Sequence, residues 1–174
     1  MSSGQPLTQP DILFDGPEDA PLCVALAHGA GAPMDTPYMA AFAEGLAERG
    51  YRAARFEFPY MAKRRVGGPK RPPDRAPVLL ETWRTVVEAI GHERLIVGGK
   101  SMGGRMASLL LAEGEPDITA LICLSYPFHP AKKPDRLRTE HLADFSLPCL
   151  IVQGDRDPLG NRVEVDSYDL AKSI

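Results

Sequence analysis

The sequence predicts an α/β domain in which a mostly parallel β-sheet is covered by helices on both faces. Apolar runs that are typical of strands alternate along the chain with patterns that are typical of amphipathic helices. The strand-like runs are nearly continuous in apolar residues, as expected for parallel strands that are buried on both sides. The chain has 174 residues, of which 44% are hydrophobic, and this suffices for one core. We therefore expect residues 1–174 to form a single domain.

Six runs are the predicted strands. A short run at the start, DILFDG, predicts an edge strand. The central strands are expected in the five longer runs PLCVALAHG, YRAARFEF, RLIVGG, ITALICLSY and LPCLIVQG.

Three amphipathic helices are predicted between these strands. Thr36 can cap the first helix, which should end at Gly50. The second carries an apolar stripe that stops at Gly91, and the third begins directly after Ser101 and continues to Gly114.

The segment KRRVGGPKRPPDR, residues 63–75, is the clearest change in composition, with six basic residues, two glycines and three prolines. This composition predicts a loop. The loop is either a solvated connection or a basic rim beside a site that accepts an anionic group. A nucleic-acid patch is disfavoured because no aromatic residues are interleaved with the basic ones.

Charge and cysteine content exclude several classes of partner. A net charge of −3 and a pI of about 5.8 give no overall attraction to nucleic acid or to an anionic membrane. The N-terminus resembles no signal peptide, and no apolar run approaches the ~20 residues of a membrane span. Cys23, Cys123 and Cys149 lie in strand-like runs with spacings that suit neither disulfides nor zinc. We expect a soluble cytoplasmic protein with reduced thiols, no metal and no cofactor.

The stretch VGGKSMGGR, residues 97–105, contains two glycine-rich signatures. A P-loop would need a glycine at position 94, where the chain has Arg94, so the spacing excludes it. The pattern Gly99-x-Ser101-x-Gly103 instead matches a nucleophile elbow, and it lies between a predicted strand and a predicted helix as that motif requires. Ser101 is therefore the candidate nucleophile, and the Met102 N–H should face the developing oxyanion.

The second oxyanion donor is expected in the loop His28-Gly29-Ala30-Gly31, which follows an earlier strand. Ala30 or Gly29 is the candidate donor, because small residues let the backbone approach a substrate carbonyl. The alternative is a glycine-rich turn in which His28 only bonds to backbone.

The acid is expected after the last strand, in the pattern Gly154-x-x-Asp157-Pro158. Asp157 would orient an imidazole there, and Asp155 is the competing residue. The same residues also make a good turn without any catalytic role.

Together these motifs resemble the α/β-hydrolase superfamily, and more narrowly its dienelactone-hydrolase-like branch with the testis-expressed-30 and NSL-complex-subunit-3 hydrolase-like domains. The resemblance implies an α/β-hydrolase fold with Ser101 as nucleophile, Asp157 as acid, and Met102 with the HGAG loop as oxyanion hole. It extends from residue 20 to residue 162 and is carried, in order, by AHGAGAPMDTPYM, FEFPYM, PPDRAP, GGKSMGGRMAS, SYPFHP, LRTEHL and QGDRDPLG.

One part of the family pattern is missing. Members of this branch carry the catalytic histidine on a loop after a further strand, whereas this chain ends at Ile174 inside the predicted helix VEVDSYDLAKSI, with no histidine after Asp157. The chain is then a fragment, a degenerate non-enzyme, or a protein with another histidine as base. His129 lies at the correct rim, but the resemblance implies a pocket or structural role for it, and His92 and His141 are expected to be structural.

Two functions follow as expectations. The first is a small serine hydrolase that cleaves a small-molecule carboxylic ester or thioester through an acyl-enzyme on Ser101, with His28, Tyr60 and His129 binding substrate at a shallow site. The second is a catalytically impaired binding or scaffold module. A sheet that ends at the CLIVQ strand leaves an open apolar edge, so we expect either marginal stability or pairing with another chain, for which a homodimer is one option.

Overall fold

Strands and helices alternate along the chain as predicted. The computed structural model describes residues 10–115 and 117–174. Its strands are β1 (Ile12–Asp15), β2 (Cys23–Ala27), β3 (Arg52–Phe56), β4 (Leu95–Lys100), β5 (Ile118–Leu124) and β6 (Cys149–Val152). Its helices are α1 (Pro37–Ala47), α2 (Pro59–Arg65), α3 (Ala76–Ile90), α4 (Met102–Ala112) and α5 (Arg162–Val165), with a short 3₁₀ helix at Glu140–Leu142.

The six strands form one sheet in the order β1-β3-β2-β4-β5-β6. β1 pairs with β3 in antiparallel orientation, and every other pairing is parallel. The predicted edge strand and the mostly parallel sheet are therefore confirmed. Because the carboxyl ends of parallel strands lie at the same edge, the loops after β2, β4, β5 and β6 meet at one rim of the sheet.

Helices cover both faces of the sheet. The larger core lies on one face, where Trp83 of α3 and Met106 and Leu110 of α4 are buried with sheet residues such as Val97. On the other face the core is smaller, and Met39 of α1 packs against alternate residues of β2. Successive side chains of a strand point to opposite faces of the sheet, so each buried strand contributes residues to both cores.

The predicted helix ends agree with the structure to within a few residues. Thr36 Oγ1 accepts a hydrogen bond from the Met39 N–H at 3.4 Å and so caps α1. Gly91 ends α3 with a φ of 55°, the left-handed conformation that glycine adopts without steric cost.

Two local predictions are wrong. Residues 63–65, which were predicted as loop, form the last turn of α2. The first turn of α2 is capped by a residue outside the helix, since Asp74 Oδ2 accepts the Tyr60 N–H at 3.0 Å. Near the C-terminus only Arg162–Val165 is helical. That helix begins with a capping box between Asn161 and Glu164 and stops after one turn, where Ser167 Oγ bonds back to the Glu164 carbonyl.

β6 lies at the edge of the sheet, as predicted. Leu150 is 57% exposed and Val152 is 50% exposed, so apolar side chains on one face of this strand meet solvent. At the start of β6 the Cys149 N–H donates to the Ser173 carbonyl at 2.9 Å, which covers one end of the open edge. In the part of the chain that is described, no helix is long and apolar enough to cross a membrane.

The three cysteines are free thiols in the sheet. Burial raises the pKa of Cys23 to about 11 and the pKa of Cys149 to about 12, and it also raises that of Cys123. These thiols stay protonated at neutral pH, which makes them poor nucleophiles.

Candidate active site

Ser101 occupies a sharp turn between β4 and α4. Its backbone has φ 50° and ψ −113°, a conformation that non-glycine residues rarely adopt. The Ser101 N–H donates to the Leu124 carbonyl of β5 at 2.9 Å, and the Ser101 carbonyl accepts the Arg105 N–H at 3.0 Å. Hydrogen bonds on both sides of the residue therefore hold the strained turn in place. The Ser101 side chain is partly exposed and makes no hydrogen bond to any described residue.

The glycines that follow the serine let α4 approach the sheet. A Cβ atom on Gly103 would lie 2.5 Å from the Ala27 carbonyl oxygen and 2.7 Å from that of His28. At Gly104 a Cβ would lie 2.7 Å from the Gly99 carbonyl oxygen. These contacts are with backbone, which cannot move aside, so both positions require glycine.

The HGAG loop lies directly beside Ser101. A Cβ built on Gly29 would be 3.8 Å from the Ser101 Cβ and 3.6 Å from the Lys100 carbonyl oxygen. The loop after β2 and the turn after β4 thus meet at the same rim, as the oxyanion-hole hypothesis requires.

Two buried side chains orient this loop. His28 Nε2 accepts the Phe58 N–H at 3.1 Å, so Nδ1 carries the proton and donates to the Gly29 carbonyl at 2.7 Å. The Tyr60 hydroxyl donates to the Ala30 carbonyl at 3.0 Å. Burial lowers the pKa of His28, which keeps the ring neutral, and raises the pKa of Tyr60 to about 12, which keeps the phenol protonated.

The orientation of these carbonyls determines where the amides point. In a trans peptide the N–H points opposite to the C=O of the same peptide unit. Because the Gly29 and Ala30 carbonyls turn toward His28 and Tyr60, the N–H groups of Ala30 and Gly31 turn away from those buried rings. Both residues are exposed, and neither N–H has an acceptor among the described residues. Gly31 was not a predicted donor, although it follows Ala30 directly.

The role predicted for His28 changes in the structure. Its ring is fully buried and both nitrogens are bonded to backbone, so it holds the loop and has no surface for substrate. This is the alternative that the sequence left open. Tyr60 is also buried, at 3% exposure, and its hydroxyl contacts the HGAG loop at the Ala30 carbonyl.

An ion-pair network supports the loop from the other side. Glu57, at the end of β3, is almost fully buried and accepts the Met34 N–H at 3.2 Å. Arg65 of α2 donates to both Glu57 oxygens, at 2.8 and 2.7 Å, and to Asp35 at 2.9 Å. Because these residues lie far apart in sequence, no local pattern reveals the network.

Asp157 lies in the loop after β6. Its Oδ1 accepts the Leu159 N–H at 2.9 Å, and its own N–H donates to the Gly154 carbonyl at 3.0 Å. The competing Asp155 is 77% exposed in its side chain, with only Arg156 near it at 3.8 Å. Of the two carboxylates, Asp157 is therefore the one that hydrogen bonds within the loop hold in place. In the sheet, β5 lies between β6 and β4, so the two strands are two strand spacings, about 10 Å, apart.

All four histidines of the chain fall within the described residues, and none forms a hydrogen bond with Ser101. His92 precedes β4 at the opposite rim, where it bonds to the Ala20 carbonyl at 3.0 Å. His141 Nε2 lies 2.8 Å from Ser108 Oγ. Ser108 lies two turns of α4 beyond Ser101, about 10 Å along the helix axis, so His141 does not reach the nucleophile.

His129 packs against the loop that carries the acid. The backbone N–H of His129 donates to the Leu159 carbonyl at 3.3 Å, and the ring nitrogen Nδ1 lies 3.0 Å from the Pro130 carbonyl oxygen. Nε2 is buried and lies 3.6 Å from Glu164 Oε1. The ring is 3% exposed and packs at this rim, and the contact of His129 with substrate stays a prediction.

Comparison with known proteins identifies the fold. The solved structure of Est1E from Butyrivibrio proteoclasticus with ferulic acid bound is 21% identical to this chain, and it superposes with a TM-score of 0.68 over 94% of this chain and 83% of its own. An alpha-beta serine hydrolase homologue from Coxiella burnetii is 20% identical with a TM-score of 0.70, over 93% of this chain and 76% of its own. A membrane phospholipase A, described as a bacterial virulence factor, is 18% identical with a TM-score of 0.67, over 89% and 69%.

These similarities establish the fold that the elbow and the sheet order indicated. The family model described as "Alpha/beta hydrolase domain" matches residues 20–174, which include Ser101, the HGAG loop and Asp157. The chain therefore belongs to the alpha/beta hydrolase domain family.

Proposed function

We propose that this protein is a serine hydrolase that cleaves a carboxylic ester or thioester through an acyl-enzyme on Ser101. The observation that carries the proposal is the strained turn at Ser101, with the HGAG backbone packed against it. Strain of this kind persists only where surrounding structure enforces it, and it clusters at functional sites. A carboxylesterase and a monoacylglycerol lipase among the structural neighbours agree with this class of reaction.

The chemistry follows from the arrangement of donors. Ser101 Oγ attacks the carbonyl carbon, and the new negative charge on the carbonyl oxygen is stabilised by the N–H groups of Met102 and Ala30. The alcohol or thiol leaves with a proton, and the acyl group stays on Oγ. Water then attacks the acyl carbon and releases a carboxylic acid, restoring the serine. Asp157 is the proposed acid that orients the imidazole of a base.

The base limits the rate. A serine hydroxyl at its free pKa is a weak nucleophile unless a neighbouring group accepts its proton. Since no histidine of this chain contacts Ser101, turnover by these residues alone should be restricted to activated esters. An oxyanion hole and substrate binding without a complete triad still give about 10³- to 10⁴-fold acceleration over water.

A second candidate function is favoured by the finding that no histidine forms a hydrogen bond with Ser101. This function is a binding or scaffold module that retains the elbow without efficient catalysis. A fluorophosphonate probe separates the two, because it forms a covalent bond only with a reactive serine. The hydrolase proposal expects labelling that is lost in Ser101→Ala and kept in Ser167→Ala, a matched control whose serine is exposed. A folded protein that stays unlabelled over hours would favour the binding module.

We also propose a family branch, a cellular location and a mode of pairing for this protein. The motifs quoted above support membership of the dienelactone-hydrolase-like branch, and three free thiols support a cytoplasmic location. Pairing of two copies through the β6 edge is supported by the exposed Leu150 and Val152.

A further inference from the structure

A cavity of about 400 Å³ lies between α2 and the loop that follows it, and no step of the proposed reaction uses it. Its size is within the range of small-molecule sites. The lining residues are Tyr60, Lys63, Val66, Gly67, Gly68, Pro69, Arg71, Pro72 and Asp74.

Both ends of the loop are attached to α2, which keeps the cavity open. At the start of the helix, Asp74 Oδ2 accepts the Tyr60 N–H at 3.0 Å. At the end of the helix, the Gly68 N–H donates to the Lys63 carbonyl at 2.9 Å, and a side chain on Gly68 would collide with the Lys63 backbone. The prolines at 69 and 72 restrict the chain between these two points. The loop is therefore held against α2 at both of these points.

The charges that line the cavity favour an anion. Lys63 and Arg71 both line it, and neither has a carboxylate within ion-pair distance among the described residues. The single lining carboxylate, Asp74, accepts the Tyr60 N–H, and the two cations exceed this one anion, so the lining keeps a net positive charge. Arg65, in the same helix turn as Lys63, is neutralised by Glu57 and Asp35 and does not contribute.

Tyr60 lies between this cavity and the HGAG loop. It lines the cavity, and its hydroxyl holds the Ala30 carbonyl of the loop beside Ser101. We propose that the cavity binds an anionic group, a phosphate or a carboxylate, on the non-reacting part of the substrate whose carbonyl carbon is attacked by Ser101. This inference rests on the proposed function and adds the substrate class, an ester or thioester with a negatively charged substituent.

Binding to Ser101→Ala protein tests the inference without requiring turnover. Calorimetry would compare 4-acetoxyphenyl phosphate and 4-acetoxybenzoate with the neutral methyl 4-acetoxybenzoate. We expect the anionic esters to bind more tightly, and we expect their advantage to shrink by about threefold or more when Lys63→Gln and Arg71→Gln are combined. Raising the salt concentration should weaken the same advantage. The control combines Arg94→Gln and Lys172→Gln, which changes the net charge equally at exposed positions outside the cavity.

Equal binding of anionic and neutral esters, or an equal loss in the control pair, would overturn the inference. Inorganic phosphate that binds as tightly as 4-acetoxyphenyl phosphate would also overturn it, because the cavity would then be a site for free phosphate. Fluorophosphonate labelling of Ser101 is a separate measurement. Absence of labelling with selective binding intact would refute the proposed hydrolase and leave the anion site standing.

Discussion

Replacing Ser101 by glycine should stabilise the protein, although it removes the candidate nucleophile. At φ 50° and ψ −113° the serine Cβ is in steric conflict with its own backbone. Such a conformation costs about 1–3 kcal/mol in a non-glycine residue. Glycine removes that cost but adds about 0.5–1 kcal/mol of conformational freedom to the unfolded chain. The difference between these two ranges is about 0–2.5 kcal/mol, and we expect a net gain in the free energy of unfolding of about 1 kcal/mol.

The matched comparison is Ser101→Ala, which lacks the hydroxyl but keeps the strained Cβ. Urea unfolding followed by circular dichroism gives both free energies, and thermal unfolding should place Ser101→Gly about 2–4 °C above Ser101→Ala. If the two variants unfold at the same urea concentration and temperature, the turn at residue 101 is not strained. The reasoning that links this turn to a nucleophile would then fail.

Three further substitutions test separate features of the structure. Tyr60→Phe removes the donor to the Ala30 carbonyl and should lower the free energy of unfolding by about 0.5–1.5 kcal/mol, whereas Tyr38→Phe, at a half-exposed ring, should have little effect in the same urea titration. Burial lowers the pKa of His141 below its ordinary 6.5, so the unfolded chain binds more protons than the folded one and stability falls as the pH drops below about 6.5. His141→Gln should make that fall shallower between pH 7 and pH 5, and an unchanged slope would contradict the assignment. Leu150→Lys places a charge on the open edge and should convert a dimer to monomer in sedimentation measurements; a wild-type chain that is already monomeric at high concentration would rule the pairing out.

Much of the fold was predictable because its signals are local. Continuous apolar runs marked the buried strands, and a run of small residues around Ser101 marked the turn between β4 and α4. The cap at Thr36 and the stop at Gly91 depend on residues within one helical turn, so short windows of sequence reveal them. The errors came where a partner lies far away. No helix was predicted at α2, and one reason is that the carboxylate that caps it, Asp74, lies 14 residues after Tyr60.

In the candidate site too, features with a local signal were predicted and those with distant partners were not. Ser101, Asp157 and the HGAG loop were identified from motifs whose glycine spacing follows from backbone sterics. The role of His28 depended on two backbone partners, one adjacent and one 30 residues away, and the sequence left it open.

By itself the sequence determined the strand and helix layers, the position of the turn with its serine, and the rim at which the loops meet. Only the tertiary structure decided which carbonyls His28 and Tyr60 hold, how Arg65 joins Glu57 to Asp35, and that the basic segment encloses a cavity. The physical reason is the sequence separation over which each kind of interaction acts. Periodicity and turn chemistry act within a few residues, whereas hydrogen bonds, ion pairs and cavities depend on packing between segments that only the folded chain brings together.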